Sequence, residues 1–409
     1  DHHLVAHDRK SLCGIQHRSH QKKHHHSSDN PKGGGRSSRG SRKCVEISTI
    51  GIASKMHLRW VQEFGTAKTG NVTLEDVVNC RREMLIDLAT DQYGSRFIQQ
   101  KLEKAPASHK DAVFHQVTTS KNFLRLCTDV FGNYVIQKLL EHGTQEHKYQ
   151  LAAKLRGHVL SLSLEAYGCR VVQKAIGVLN LDHRKIKLVE ELHGHVMECV
   201  QDQNSNHVIQ KCIEKMPSSN IQFIVEAFKS RIICLAVHAY GCRVIQRLLE
   251  YCSTEQRRTI LSEIIESTKM LAKNQYGNYV VQHVIIHADA EHRATVINSL
   301  KGSLVELSKH KFASNVMEKC VTHAGRKERT HLVNEILGDE ELNSNRLPLM
   351  VMAKDQYANY VVQKLIEVLD SEQRQYLIQR IQMHMPYLSK LPYGKHIIAT
   401  IETVGKCKI

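Results

Sequence analysis

From about residue 80 onward, apolar and polar positions follow a helical period nested in a longer one. A short apolar run, such as Met84-Leu85-Ile86-Asp87-Leu88-Ala89, leads into a turn rich in Gly, Ala or Asn. A stretch with apolar residues at helical spacing follows, as in Val135, Ile136, Leu139 and Leu140, and a third stretch such as 145–156 closes the unit. This pattern predicts helices throughout. The unit then recurs. Its central segment reads DQYGSRFIQQKLE (91–103), DVFGNYVIQKLLE (129–141), EAYGCRVVQKAIG (165–177), DQNSNHVIQKCIE (202–214), HAYGCRVIQRLLE (238–250), NQYGNYVVQHVII (274–286), HKFASNVMEKCVT (310–322) and DQYANYVVQKLIE (355–367). Successive spacings are 38, 36, 37, 36, 36, 36 and 45 residues. A unit this short cannot bury its apolar face alone, but stacked units can. The expected fold is therefore all-α: a right-handed α-solenoid of eight helical repeats of about 36 residues over 80–381, with caps near 56–79 and 382–409. The longer final spacing places a polar loop at 338–349, between the seventh and eighth units.

Variation inside this frame is confined. Taking five positions at the start of the middle helix, the first, second and fifth vary while the third and fourth stay apolar or bulky. The trios are Ser95-Arg96-Gln99, Asn133-Tyr134-Gln137, Cys169-Arg170-Gln173, Asn206-His207-Gln210, Cys242-Arg243-Gln246, Asn278-Tyr279-Gln282, Ser314-Asn315-Glu318 and Asn359-Tyr360-Gln363. Positions one and five lie on one helical face, a turn apart, with position two beside them. Such a trio suits one unstacked base: two polar side chains toward its Watson–Crick edge and a flat side chain against its ring. Seven units meet the flat-residue condition, Asn315 being the exception. Helix capping by Asn or Gln explains one unit as well as base reading does. It does not explain eight units varying at the same places. A basic residue follows the trio in six units, as Lys138, Lys174, Lys211, Arg247, Lys319 and Lys364. These could meet phosphates, or pair with nearby acids such as Glu250 beside Arg247.

Composition narrows the partner class. The 409 residues carry 57 Lys plus Arg against 41 Asp plus Glu, a net charge of +16, which favours an acidic partner. Residues 1–45 hold eight His and ten Lys plus Arg with no apolar periodicity, so 1–55 is expected to be a disordered basic tail with weak, non-specific attraction to RNA. The His24-His25-His26 run fixes no metal geometry. The 12 cysteines include no C-x-x-C pair and read as buried thiols of a reducing compartment. No run of 18 apolar residues exists, so no membrane span is expected. The opening DHHLVAHDRK holds no stretch of signal-peptide type; it begins at Asp1 rather than Met, which leaves the natural N-terminus open. Nucleophile-elbow, phosphate-loop and H-E-x-x-H motifs are absent, and His287-Ala-Asp-Ala-Glu-His292 misses an H-x-x-E-H zinc signature by one residue. Neither catalysis, a cofactor nor a metal is expected.

Eight such repeats carrying S-R-x-x-Q, N-Y-x-x-Q, C-R-x-x-Q, N-H-x-x-Q and S-N-x-x-E pentads resemble the Pumilio (PUF) family of RNA-binding proteins. The resemblance covers 80–381 and both caps, making 56–409 a Pumilio homology domain. It implies one base per repeat, with single-stranded RNA antiparallel to the protein: Asn with Gln for uracil, Ser or Cys with Gln for adenine, Ser with Glu for guanine. Guanine's edge offers two adjacent donors, which an ionised Glu318 could accept together. Read from the eighth repeat to the first, the implied target is 5′-UGUAUAUA-3′. The resemblance further implies a monomeric, cytoplasmic repressor of mRNAs, acting through 3′ untranslated regions by recruiting deadenylation or translational machinery on its convex face. Two other readings remain: a protein-binding solenoid of armadillo or HEAT type, which needs no flat residue in each unit, and a ribosome-biogenesis relative of relaxed RNA specificity, which would show degraded pentads.

Overall fold

The computed structural model describes residues 73–79, 82–118, 121–338 and 347–406. The tail at 1–55, most of the 56–79 cap and most of the 338–349 loop lie outside the described residues. Every regular element among the described residues is helical, and each repeat has three helices. Repeat 2 is representative, with Phe123–Thr128, Gly132–His142 and Gln145–Leu155 as its first, middle and third helices. The other middle helices are Gln92–Lys104, Gly168–Val178, Asn206–Lys215, Gly241–Tyr251, Gly277–His287, Ala313–His323 and Ala358–Val368. Repeat 4 departs locally: a 3₁₀ turn, Ser218–Ile221, precedes its third helix, Gln222–Phe228. After Gln382 the C-terminal cap adds Met385–Leu388 and Gly394–Lys406, and the latter stacks on repeat 8 as a ninth middle helix.

In seven of the eight repeats, all but repeat 3, the turn into the middle helix is closed by an acceptor at the head of its segment. Asp129 Oδ1 accepts from the backbone N–H groups of Phe131 and Gly132 at 2.9 and 2.7 Å. Asn274 and Asp355 do the same in repeats 6 and 8, and His238 Nδ1 takes the role in repeat 5 at 3.2 Å. Two helix-start donors are thereby satisfied in each case. In repeats 1, 2, 3, 5 and 6 a glycine just after the turn lets the first and middle helices touch, where repeats 4, 7 and 8 carry Ser205, Ala313 and Ala358. A Cβ on Gly168 would stand 2.6 Å from the Leu162 carbonyl oxygen, and one on Gly241 the same distance from Leu235 O.

Third helices begin at their own caps. Thr144 with His147 and Ser253 with Gln256 form capping boxes, while Asp182, Asp289 and Asp370 accept directly from backbone N–H groups. Four residues in, a long cation reaches back to the end of the preceding middle helix. Arg293 donates to Ile285 O and Ala288 O, Arg329 to Val321 O and Thr322 O, and Arg374 to Ile366 O, Glu367 O and Leu369 O. Positive charge thus meets the negative end of the helix and fills carbonyls left open there.

One continuous core runs through the stack. In repeat 2 it takes Val135, Ile136, Leu139 and Leu140 from the middle helix, Leu126 from the first, and Leu151 and Leu155 from the third, all buried. Truncating one such side chain to Ala costs roughly 2–5 kcal/mol. Adjacent middle helices pack more closely than adjacent third helices. The row of middle helices is therefore the shorter, inner side of the curve, and the positions that vary from unit to unit lie on it.

Candidate nucleic-acid interface

The eight trios occupy equivalent places on this row of touching helices, but their three positions differ sharply in exposure. Position two projects outward: Tyr134 is 50% exposed and Tyr360 59%. Arg96, Arg170, His207, Arg243 and Asn315 are exposed as well, and Tyr279 is half-buried. Position five is half-buried, except that Gln246 and Gln282 are buried. Position one is buried in every repeat, as Ser95, Asn133, Cys169, Asn206, Cys242, Asn278, Ser314 and Asn359. Here the structure departs from the open pair of polar groups that the sequence suggests. Residue one forms the floor of each clamp, and residue five lies over it.

The floor is hydrogen-bonded in detail. Asn133 Nδ2 donates to Asp129 O at 2.8 Å and Val130 O at 3.1 Å, while its Oδ1 accepts from Gln137 Nε2 at 2.8 Å. Asn206–Gln210 and Asn278–Gln282 repeat this arrangement, each with an Asn–Gln bond of 2.9 Å. Asn359 binds Asp355 O and Gln363 Nε2, both at 2.9 Å. In these four repeats the asparagine fixes the glutamine amide, which keeps one N–H and its carbonyl oxygen for a ligand. Where position one is cysteine, the amide lacks this anchor: Gln173 Nε2 and Gln246 Nε2 are buried without a hydrogen-bond partner. Burial of an unsatisfied donor is costly, and a base offering an acceptor there would relieve it.

Repeat 7 alone presents a carboxylate. Glu318 is half-buried, and burial pushes its pKa upward, with Glu367 adding to the shift and Lys364 and Lys319 opposing it. In repeats 5 and 6 the flat residues at position two face one another. The Arg243 guanidinium carbon lies 5.1 Å from the centre of the Tyr279 ring. Stacked bases need about 3.4 Å on each side, so these two must part by roughly 2 Å for a base to lie between them. Partial desolvation, then the adjacent Arg170 guanidinium, lower the His207 pKa, which favours the uncharged imidazole.

The basic residues beside the trios are mostly engaged with acids. Lys211–Glu214, Arg247–Glu250 and Lys364–Glu367 are ion pairs of 2.6 Å, each three residues apart. Lys138 lies between Glu103 and Glu141, and Lys174 reaches Glu141 across the repeat boundary at 3.5 Å. Lys319 has Thr322 at the corresponding place. Apart from Lys319, free cations on this face come from position two. Sequence reasoning also missed two features: the acceptor heading seven of the eight turns, visible as the Asp, Asn or His that opens those segments, and Thr400 of the cap, whose hydroxyl lies 3.2 Å from Gln363 Oε1. Nothing in the repeat pattern flags Thr400, since its helix carries Lys395, His396 and Ala399 in place of a reading trio. Among the described residues no group of three His, Cys, Asp or Glu side chains is arranged to hold a metal ion, and no helix is long and apolar enough to cross a membrane.

Known proteins with this architecture share more than helical stacking. The chain is 46% identical over 348 residues to Pumilio homolog 1 of Xenopus laevis, an alignment covering 84% of this chain but 28% of that relative's length. The Puf3 RNA-binding domain bound to the Cox17 RNA 3′ UTR recognition sequence superposes with a TM-score of 0.76 at 36% identity, covering 83% of this chain and 99% of that one. PUF-8 in complex with PBE-RNA gives 0.76 at 38% identity, covering 84% and 99%. The Pumilio-family RNA-binding repeat matches eight stretches: 85–118, 122–156, 158–193, 195–227, 231–265, 269–300, 303–337 and 350–382. With all eight trios falling inside those stretches, the chain belongs to the Pumilio family.

Proposed function

We propose that this protein reads single-stranded RNA one base per repeat, antiparallel, with 5′-UGUAUAUA-3′ as its target, and represses mRNAs carrying that element in their 3′ untranslated regions. The observation that carries the reading is the register of the eight trios: one row of adjoining helices, with a polar pair and an outward side chain at the same place in each. The chemistry of each trio supports a base. Asn359/Gln363, Asn278/Gln282, Asn206/Gln210 and Asn133/Gln137 offer a donor beside an acceptor, matching uracil O4 and N3–H. Cys242/Gln246, Cys169/Gln173 and Ser95/Gln99 leave an amide for the adenine N1 and 6-amino group. Glu318 accepts from guanine N1–H and the 2-amino group. Flat side chains at position two supply stacking worth roughly 1–3 kcal/mol per base. RNA bound to the Puf3 domain and to PUF-8 supports the same reading for this chain. Repression, through effector proteins held on the convex face by a monomeric cytoplasmic protein, follows the family.

Fluorescence anisotropy with UGUAUAUA and with ACAAUAUA RNA tests the proposal. Tight binding of the first with strong loss for the second is expected. Equal affinity for both would overturn it, leaving a solenoid whose inner row binds something other than a base sequence.

A further inference from the structure

We infer that Lys319 is a positioning residue of repeat 7: standing without an acid to pair with, it keeps Glu318 in the carboxylate form and so makes the second base guanine rather than adenine. The inference rests on the RNA reading proposed above. Guanine turns two adjacent donors toward its reader, N1–H and the 2-amino group, and a carboxylate accepts both. A protonated carboxyl offers one donor beside one acceptor, as a glutamine amide does. With Ser314 below it, a protonated Glu318 would match Ser95/Gln99, the pair assigned to adenine. Repeat 7 therefore separates the two purines only while Glu318 stays ionised in a site that half-buries it.

The row of cations beside the trios shows how. One residue past position five, Lys138, Lys174, Lys211, Arg247 and Lys364 each meet an acid. It stands three residues on in the same helix, as Glu141, Glu214, Glu250 and Glu367 do, or at that place in the repeat before, as Glu141 does for Lys174. His283 likewise takes Glu250 of the repeat before, at 3.0 Å. Lys319 is denied both. Three residues on stands Thr322, whose hydroxyl turns back to donate to Glu318 O at 2.7 Å, and the repeat before carries Ile286. Half-buried and next to Glu318 in the chain, Lys319 forms no ion pair among the described residues. The acid is thus missing from both places around the one repeat whose reader is itself an acid.

The groups around Glu318 leave Lys319 as its net counter-charge. The middle helix of repeat 8 brings Lys364 and Glu367, 2.6 Å apart, whose opposite fields largely cancel. The middle helix of repeat 6 brings Gln282, an amide, and His283, tied to Glu250. On its own helix His323, a turn beyond Lys319, is pushed toward the neutral form by burial and then by Lys319 itself, with Arg293 and Arg329 adding to it. Burial favours the protonated form of Glu318 and Glu367 sides with burial, while Lys364 and Lys319 oppose them. An acid three residues past Lys319 would draw off its charge and add a second negative group beside the reader.

The test measures the affinity ratio between UGUAUAUA and UAUAUAUA RNA from pH 7.5 to 5.0, for the full chain and four variants. In the wild type the preference for guanine should be strong at pH 7.5 and decline on acidification. Lys319→Met, which keeps the apolar stem, should move that decline up by about half a pH unit, a roughly threefold smaller ratio on its acid side. Thr322→Glu should shift it the same way. Thr322→Gln and Lys319→Arg should follow the wild type. Coincident curves for wild type and Lys319→Met, sloping or flat, overturn the role of Lys319 and leave the RNA reading standing. Equal weakening toward both RNAs, with the ratio unchanged, marks a phosphate contact and also overturns it, as does a shift in Lys319→Arg as large as that in Lys319→Met. A wild type that binds the two RNAs alike at pH 7.5 overturns the RNA reading and this inference with it.

Discussion

Replacing Glu318 with Gln should move affinity and stability in opposite directions. The carboxylate is half-buried on the inner row, and burial raises its pKa from the ordinary 4.5, against the pull of Lys364 and Lys319. A raised folded-state pKa means that the fold prefers the protonated acid. The stabilisation is full below the unfolded value and is lost as pH rises through the folded one, so at pH 7 the ionised group weakens the free protein. Guanine needs that ionised form, since two adjacent donors require two acceptors. Glu318→Gln removes the charge and replaces one acceptor oxygen with a donor facing a donor. At about 2–3 kcal/mol, the loss for UGUAUAUA RNA is roughly 30- to 150-fold. The free variant should melt at or above the wild-type temperature at pH 7, with the difference shrinking on acidification as the wild type protonates. Binding by the wild type should also weaken as pH falls toward the raised pKa, and binding by the variant should not. Anisotropy titrations between pH 7.5 and 5.5, with thermal melts of the free proteins in the same buffers, measure both effects. Affinity for the guanine RNA within threefold of wild type, or a clear fall in melting temperature, would refute the assignment of Glu318 as a strained, ionised guanine reader.

Further outcomes follow from comparing repeats with one another. Recasting repeat 7 after repeat 6, with Ser314→Asn, Asn315→Tyr and Glu318→Gln, should switch the second base from guanine to uracil; a triple variant that still prefers guanine by roughly tenfold would sink the one-trio, one-base scheme. Gly168→Ala places a Cβ 2.6 Å from Leu162 O and should cost about 1–3 kcal/mol in chemical denaturation, with no loss predicted if the two helices are free to separate. Ser230 adopts φ 60° where the equivalent junctions hold Gly157, Gly194 and Gly302, so Ser230→Gly should stabilise by up to about 1 kcal/mol in the same assay. Removing residues 1–45 should flatten the salt dependence of RNA binding more than it alters base preference, and an unchanged slope would show that the tail makes no contact with RNA.

The helical stacking was legible because it rests on apolar spacing repeated eight times, and Val135, Ile136, Leu139 and Leu140 are buried as that spacing requires. The trios were legible for a related reason: a constant frame makes its variable positions conspicuous. Their depth was not. Whether Asn133 stands open or lies beneath Gln137 depends on backbone carbonyls at Asp129 and Val130, and a helical wheel does not show those. The pairing of Lys138 with Glu103, or Lys174 with Glu141, crosses a repeat boundary, so periodicity within one unit says nothing of it. Thr400 was invisible because its helix departs from the reading pattern while keeping the packing pattern. What a single unit encodes could be read from the chain; what one unit does to the next required the assembled stack.

Burial of position one changes what recoding this protein would involve. An exposed specificity residue could be exchanged for another at little risk to the fold. Here the residue proposed to distinguish one base class from another is also a packing residue, wedged between backbone oxygens and the next turn of its own helix. Exchanging Cys169 for Asn, or Asn278 for Ser, alters the interior volume at that layer and the polar atoms it must satisfy. Each rewritten letter therefore spends part of the fold's stability margin, so the number of letters that can be rewritten at once is limited by folding before it is limited by recognition.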